Sequence, residues 1–124
     1  FGGNPLAMRS ANAVLELLLE NDFLSNLRKM IVYFDKKMDE LIKNDMQNNP
    51  IIFAKKGSGM LRGFQLNEDV TAGDFSNIAR EKSLLLVGAA ENTIRLLPPL
   101  NTSKEEVDNA FDILNDIVLE LKKT

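Results

Sequence analysis

Leu24, Leu27, Ile31, Phe34, Met38 and Leu41 recur in alternating steps of three and four with charged residues between them. That spacing places one apolar stripe on a helix, and it predicts a helix from about Asn21 or Asp22 to the Asn48-Asn49-Pro50 stop. A coiled-coil partner is the alternative, but so short a stripe with Met and Phe in it suits packing on a sheet. An earlier helix opens at Asn4 and Pro5, a capping residue followed by the residue that tolerates the first turn, and runs to about Glu20. Its apolar residues, among them Leu6, Met8, Val14, Leu15, Leu17, Leu18 and Leu19, cover more than one stripe. Such a helix needs cover on several sides, so part of it is expected to pack on a segment outside this chain. Alone, it is expected to drive self-association.

Alternation replaces the helical period in the middle of the chain. Ile51 to Ala54 and Met60 to Leu66 read as two strands joined by Lys55-Lys56-Gly57-Ser58-Gly59. Asp74 to Lys82 reads as a short helix capped by Thr71 or Asp74. Leu84 to Val87 and Thr93 to Leu97 form a second strand pair around Gly88-Ala89-Ala90-Glu91-Asn92, and Pro98-Pro99 stops the last strand. Thr102 or Ser103 caps a final helix, with Glu106 at capping-box spacing from Ser103 and a face of Val107, Phe111, Leu114, Val118 and Leu121. The sum is an α+β fold, a small sheet covered by helices, with no repeat or linker.

Composition narrows the chemistry. In 124 residues there is no cysteine and no histidine, which excludes zinc sites of the usual kind, thiol nucleophiles and imidazole acid-base catalysis. A net charge of -3 argues against nucleic acid or an anionic membrane as partner. The longest apolar run, Leu84 to Val87 with the small residues after it, is too short to span a bilayer, and no charged-then-apolar leader opens the chain. The start at Phe1-Gly2-Gly3, with no Met, is expected of a piece of something longer. Absence of cysteine fits a reducing cytoplasm.

Arg95 is the residue that asks for a ligand, because a cation on the apolar strand Thr93-Ile94-Arg95-Leu96-Leu97 is costly unless an anion meets it. Either Glu91 or a helix carboxylate serves as that anion, or a ligand does. Gly2 and Gly3 admit a similar pair of readings: a tight turn into a helix, or backbone amides near a helix N-terminus approached by a phosphate. Gly57-Ser58-Gly59 reads as a hairpin turn, since no helix with a phosphate-binding lysine follows it. Arg62 reads as a solvated or interface charge, and Lys55 and Lys56 as solvated.

Three motifs, Phe1-Gly2-Gly3-Asn4-Pro5-Leu6-Ala7, Gly57-Ser58-Gly59-Met60-Leu61 with Gly63, and Ile94-Arg95-Leu96-Leu97-Pro98-Pro99-Leu100, stand in one order along the whole chain. Together they resemble the class III aminotransferases dependent on pyridoxal phosphate, and within that family the acetylornithine branch. Ser83 stands where family members often carry Gly, which puts the local turn in question, and Met8 is commonly a smaller residue. The resemblance implies a helix leading from an absent large domain (residues 1-20) and the C-terminal small domain of a fold-type I enzyme (21-124), with a mainly antiparallel sheet. It also implies a homodimer, and amino-acid and 2-oxo-acid substrates.

By the same resemblance, the catalytic lysine and a Ser-Thr pair that reaches the cofactor phosphate of the neighbouring subunit lie upstream of Phe1. No catalytic residue is then expected in these residues, which should be inactive alone. Arg95 matches the arginine that pairs with the substrate α-carboxylate, and Gly2 and Gly3 take a supporting place near the cofactor. The implied reaction moves an amino group between N-acetylornithine and 2-oxoglutarate in arginine biosynthesis. Ornithine, succinyl-diaminopimelate and 4-aminobutyrate enzymes share the motifs. A free-standing α+β module that binds an amino acid by its carboxylate is the alternative from another class.

Overall fold

A computed structural model describes residues 2–47 and 49–123. The elements run α1 (Pro5–Leu18), α2 (Phe23–Asp45), β1 (Ile52–Ser58), β2 (Leu61–Leu66), α3 (Ala72–Glu81), β3 (Val87–Ala89), β4 (Thr93–Leu96) and α4 (Lys104–Leu121). The strands form one antiparallel sheet in the order β1-β2-β4-β3. Phe1 and Asn48, which the sequence reading used in a motif and in a helix stop, lie outside the described residues.

Local chemistry sets the boundaries. The Asn4 side chain accepts from the amides of Leu6 and Ala7 and starts α1. Thr71 caps α3, and Ser103 with Glu106 closes the reciprocal capping box that starts α4. Several limits differ from expectation. The first helix ends at Leu18 rather than Glu20, and the second ends at Asp45, before the Asn-Pro stop. That early stop has a cause: the Asp45 carboxylate accepts from the amides of Ile51 at 3.2 Å and Ile52 at 2.6 Å, drawing the chain back toward the sheet.

The hairpin also differs. Lys55 to Ser58 belong to β1, and the reversal is confined to Gly59 and Met60, with Gly59 at φ +61, a conformation that primed hairpin turns require at their first central residue. Leu84 to Leu86 are not strand, so β3 begins only at Val87. They follow a helix end at which Ser83 adopts φ +65 and donates to the Arg80 carbonyl, while Leu84 donates to the Ala79 carbonyl at 2.8 Å. This is a Schellman closure, which turns the chain outward before it can pair. Leu97 lies beyond the end of β4.

One face of the sheet carries the core. Phe64 and Leu66 of β2 and Ile94 and Leu96 of β4 are buried with Phe34, Met38 and Leu41 of α2, Phe75 and Ala79 of α3, and Val107, Phe111, Leu114, Ile117 and Val118 of α4. Two edge-to-face ring pairs tie the layers together, Phe34 with Phe111 at 5.1 Å and Phe64 with Phe75 at 5.4 Å. The expected α2 stripe is fully buried in its second half, partly buried at Leu27 and Ile31, and 45% exposed at Leu24. Nothing in α1 is buried, with Leu6 77% and Leu17 55% exposed. Among the described residues no helix is long and apolar enough to cross a membrane.

Candidate functional site

Alternation along β4 sends Ile94 and Leu96 into the core, and it sends Thr93 and Arg95 to the opposite face. Arg95 stands beside Gly63 of β2 on one side and Val87 of β3 on the other. That face is partly open: Leu61 is 59% and Val87 53% exposed, while Thr93 is 6% exposed. Gly63 faces Lys56 of β1 in turn, so Lys56, Gly63 and Arg95 form one row across three strands. The row has a side chain at each end and none at its centre.

A depression of about 390 Å³ follows, bordered by Lys56, Gly57, Leu61, Arg62, Gly63, Thr93 and Arg95. Gly63 is required as its floor, because an added Cβ would lie 2.7 Å from the Ile94 carbonyl oxygen and 3.2 Å from the Thr93 methyl group. Gly57 is as constrained, with φ +85 and a would-be Cβ 2.2 Å from the Leu61 carbonyl oxygen.

Three cations border this space, and two of them are engaged. Arg62 pairs with Asp35 at 2.6 Å and donates to the carbonyls of Gly57 at 2.7 Å and Gly59 at 3.1 Å. It is thus a brace between α2 and the hairpin rather than a solvated charge. Lys56 pairs with Glu91, whose carboxyl is held below the usual range by that hydrogen bond. Lys55 is likewise not free: it bridges Asp39 at 2.5 Å and Asp35 at 3.2 Å, and its ammonium is held above its ordinary pKa chiefly by the Asp39 contact. The Arg95 side chain has no hydrogen-bond or ion-pair partner among the described residues, so the alternative pairing with Glu91 does not form.

A β-bulge sorts the two lysines. Ile52 pairs with Leu66 and Ala54 with Gln65, so one extra residue enters between them. Strict alternation from the buried Ile52 would put Lys56 under the helices. The shift instead sends Lys55 to the carboxylates of α2 and Lys56 to the Arg95 face. Nothing in the local sequence marks the bulge.

The turn that launches β4 is fixed by Asn92, which the sequence reading left unassigned. At φ +50, its side chain accepts from the Ala72 amide at 2.7 Å and donates to the carbonyls of Asn67 and Val70, each at 2.8 Å. Asn tolerates this left-handed conformation better than most residues, and that was the available signal.

Gly2 and Gly3 are exposed, with no atom within 4 Å of a Cβ built on either, and Gly3 has φ +79. They make the turn before α1, which lies against α2, and no strand is in extended contact with that helix. Gly2 and Gly3 thus belong to a different part of the molecule from the Arg95 depression.

The chain is similar to known proteins along most of its length. The chain is 34% identical over 110 residues to acetylornithine aminotransferase 1 of Bradyrhizobium diazoefficiens, covering 89% of this chain and 26% of the relative. It is 37% identical over 111 residues to acetylornithine aminotransferase 2 of Caulobacter vibrioides, covering 90% and 26%. Among solved structures it superposes on acetylornithine aminotransferase from Elizabethkingia anophelis with a TM-score of 0.83 at 28% identity, covering 97% of this chain and 31% of that one. Ornithine δ-aminotransferase of Plasmodium falciparum gives a TM-score of 0.85 at 25% identity, covering 98% and 30%. The chain spans between 26% and 31% of the length of these relatives. Residues 1–118 match the family described as aminotransferase class-III, and the chain belongs to that family.

Proposed function

We propose that this chain is the C-terminal small domain of a cytoplasmic, homodimeric, pyridoxal-phosphate-dependent transaminase that moves an amino group between N-acetylornithine and 2-oxoglutarate. Residues 1–20 lead into it from a large domain, whose surface covers the apolar side chains that α1 leaves exposed. Family membership favours this over a free-standing binding module. The likeness to ornithine δ-aminotransferase keeps ornithine as the second amino donor to test.

The observation that carries the reading is the unpartnered Arg95 guanidinium at a glycine-floored depression. A planar guanidinium meets a carboxylate through two parallel hydrogen bonds, which fix both the position and the rotation of the bound acid. On a strand anchored on both sides, Arg95 orients the α-carboxylate of the amino acid, and of the 2-oxo acid that replaces it.

The cofactor, when bound, supplies the electron sink and carries the amino group between the two half-reactions. These residues fit a supporting place beside it rather than its attachment. Asn4 already occupies the amides of Leu6 and Ala7, which leaves the open Gly2 and Gly3 backbone, away from the Arg95 depression of the same chain, beside the phosphate of the cofactor in the neighbouring subunit. At the Arg95 depression the bordering lysine, Lys56, is engaged by Glu91. By the family resemblance, the lysine that holds the cofactor belongs to the large domain.

The test uses the full-length enzyme. Charged hydrogen bonds contribute about 1.5–3 kcal/mol, so Arg95→Ala should raise the Michaelis constants for both carboxylate substrates on the order of 10- to 100-fold. Values unchanged for both substrates would remove Arg95 from the site.

A further inference from the structure

The row formed by Lys56, Gly63 and Arg95 has a consequence for how Arg95 stays available. Glu91 sits four residues before Arg95, at the turn into the same strand, and its carboxylate is drawn to a cation of this face. The group that draws it there is Lys56, which reaches it from two strands away and borders the same depression as Arg95. Of the cations bordering this depression, Arg62 is engaged by Asp35 and Arg95 is unpaired among the described residues, so Arg95 is the cation of this face left to Glu91 once Lys56 is removed.

We propose that Lys56 is a positioning residue that sequesters Glu91, keeping the Arg95 guanidinium free for the carboxylate of the substrate. This rests on the reading of Arg95 as the substrate clamp. Three observations support it. Arg62, the other cation bordering the depression, is committed to Asp35 and to two backbone carbonyls and cannot take over Glu91 without giving these up. Gly63 between Lys56 and Arg95 leaves no side chain to separate the two charges. The bulge after Ile52 serves to put Lys56, rather than Lys55, on this face.

Competition between an exposed carboxylate and a substrate for one guanidinium is modest, because solvent screens both. In the full-length enzyme, Lys56→Met is expected to raise the Michaelis constants for both carboxylate substrates about two- to fivefold with kcat nearly constant. Adding Glu91→Gln to that variant should restore them, and Lys56→Arg should preserve them. A crystal structure of the Lys56→Met enzyme should place the Glu91 carboxylate on Arg95, a result that loss of a positive charge alone does not produce. Unchanged Michaelis constants in Lys56→Met would overturn the proposal. So would a rise for one substrate only that Glu91→Gln does not reverse, or a variant structure with Glu91 turned away from Arg95. Arg95→Ala, measured in parallel, separates the two ideas: if it has no effect, the clamp reading fails first, whereas a large effect there with none in Lys56→Met defeats only the role of Lys56.

Discussion

Asp45 and Lys122 join the two ends of the domain through an ion pair of 2.9 Å in which Asp45 is 1% exposed. The same carboxylate holds the amides of Ile51 and Ile52, and the same ammonium donates to the carbonyls of Asp45 and of Gln47, the latter at 3.2 Å. One charge thus starts β1, and the other fastens the end of α4 over the turn between them. The two partners are unequal. Removing Asp45 strands a mostly buried ammonium and orphans two amides, whereas removing Lys122 leaves the carboxylate with both amide donors.

Asp45→Ala should therefore cost about 3–5 kcal/mol in urea unfolding, and Lys122→Met distinctly less. Equal losses would show that the ion pair itself, rather than the amide contacts, carries the junction.

Ser83 occupies a left-handed position at the end of α3, where a side chain is strained and glycine is not. Relief of about 1–2 kcal/mol in the folded state is partly offset by the greater freedom of glycine in the unfolded chain. Ser83→Gly should stabilise the protein by roughly 0.5–1 kcal/mol, read as a rise in thermal midpoint. A fall would mean that the side chain contributes more than its backbone strain.

Gly63 tests the floor of the site. Its would-be Cβ meets backbone, the Ile94 carbonyl oxygen, rather than a flexible side chain that could move aside. Gly63→Ala should cost about 1–3 kcal/mol as β2 and β4 are forced apart. Because Ile94 adjoins Arg95, the Michaelis constants of the full-length enzyme should rise with it. Full stability with unchanged constants would show that β4 yields without moving Arg95.

Much of this was legible in the sequence, for reasons that differ by element. Caps at Asn4, Thr71 and Ser103 act over three residues and announce themselves locally. The apolar stripe of α4 was readable because one face meets one sheet, and Ile117 was missed only because it widens that stripe. Arg95 stood out as a cation among apolar neighbours. What escaped depends on distant partners: the Asp45 carboxylate that ends α2, the bulge that exchanges the faces of Lys55 and Lys56, and Asn92 reaching back to Val70 and Ala72. A sequence displays a charge but not the strand that will lie opposite it. Glu91 shows this well, since its near neighbour Arg95 was the obvious partner and the remote Lys56 is the actual one.

Acid should weaken the fold through named carboxylates. Asp108 accepts from Lys37 at 2.8 Å and from the Tyr33 hydroxyl, and these hydrogen bonds hold its carboxyl below the usual range. Glu106 is lowered by the Ser103 amide in the capping box, and Glu91 by Lys56. A carboxyl whose folded pKa lies below its unfolded value contributes stability that is present above the unfolded value, near pH 4, and is lost as pH falls through the folded one. Tyr33 and Lys37 are shifted the other way, both raised chiefly by their hydrogen bonds with Asp108, so their contribution is present below about pH 10 and is lost above it. Stability should be flat from pH 6 to 8, as no histidine titrates there, and should fall below about pH 4. Asp108→Asn should lower the plateau and reduce the acid slope, because it removes a group that must be protonated on unfolding. Denaturant midpoints measured from pH 3 to pH 8 decide the matter: an acid slope identical in the variant and the parent would take Asp108 out of the account.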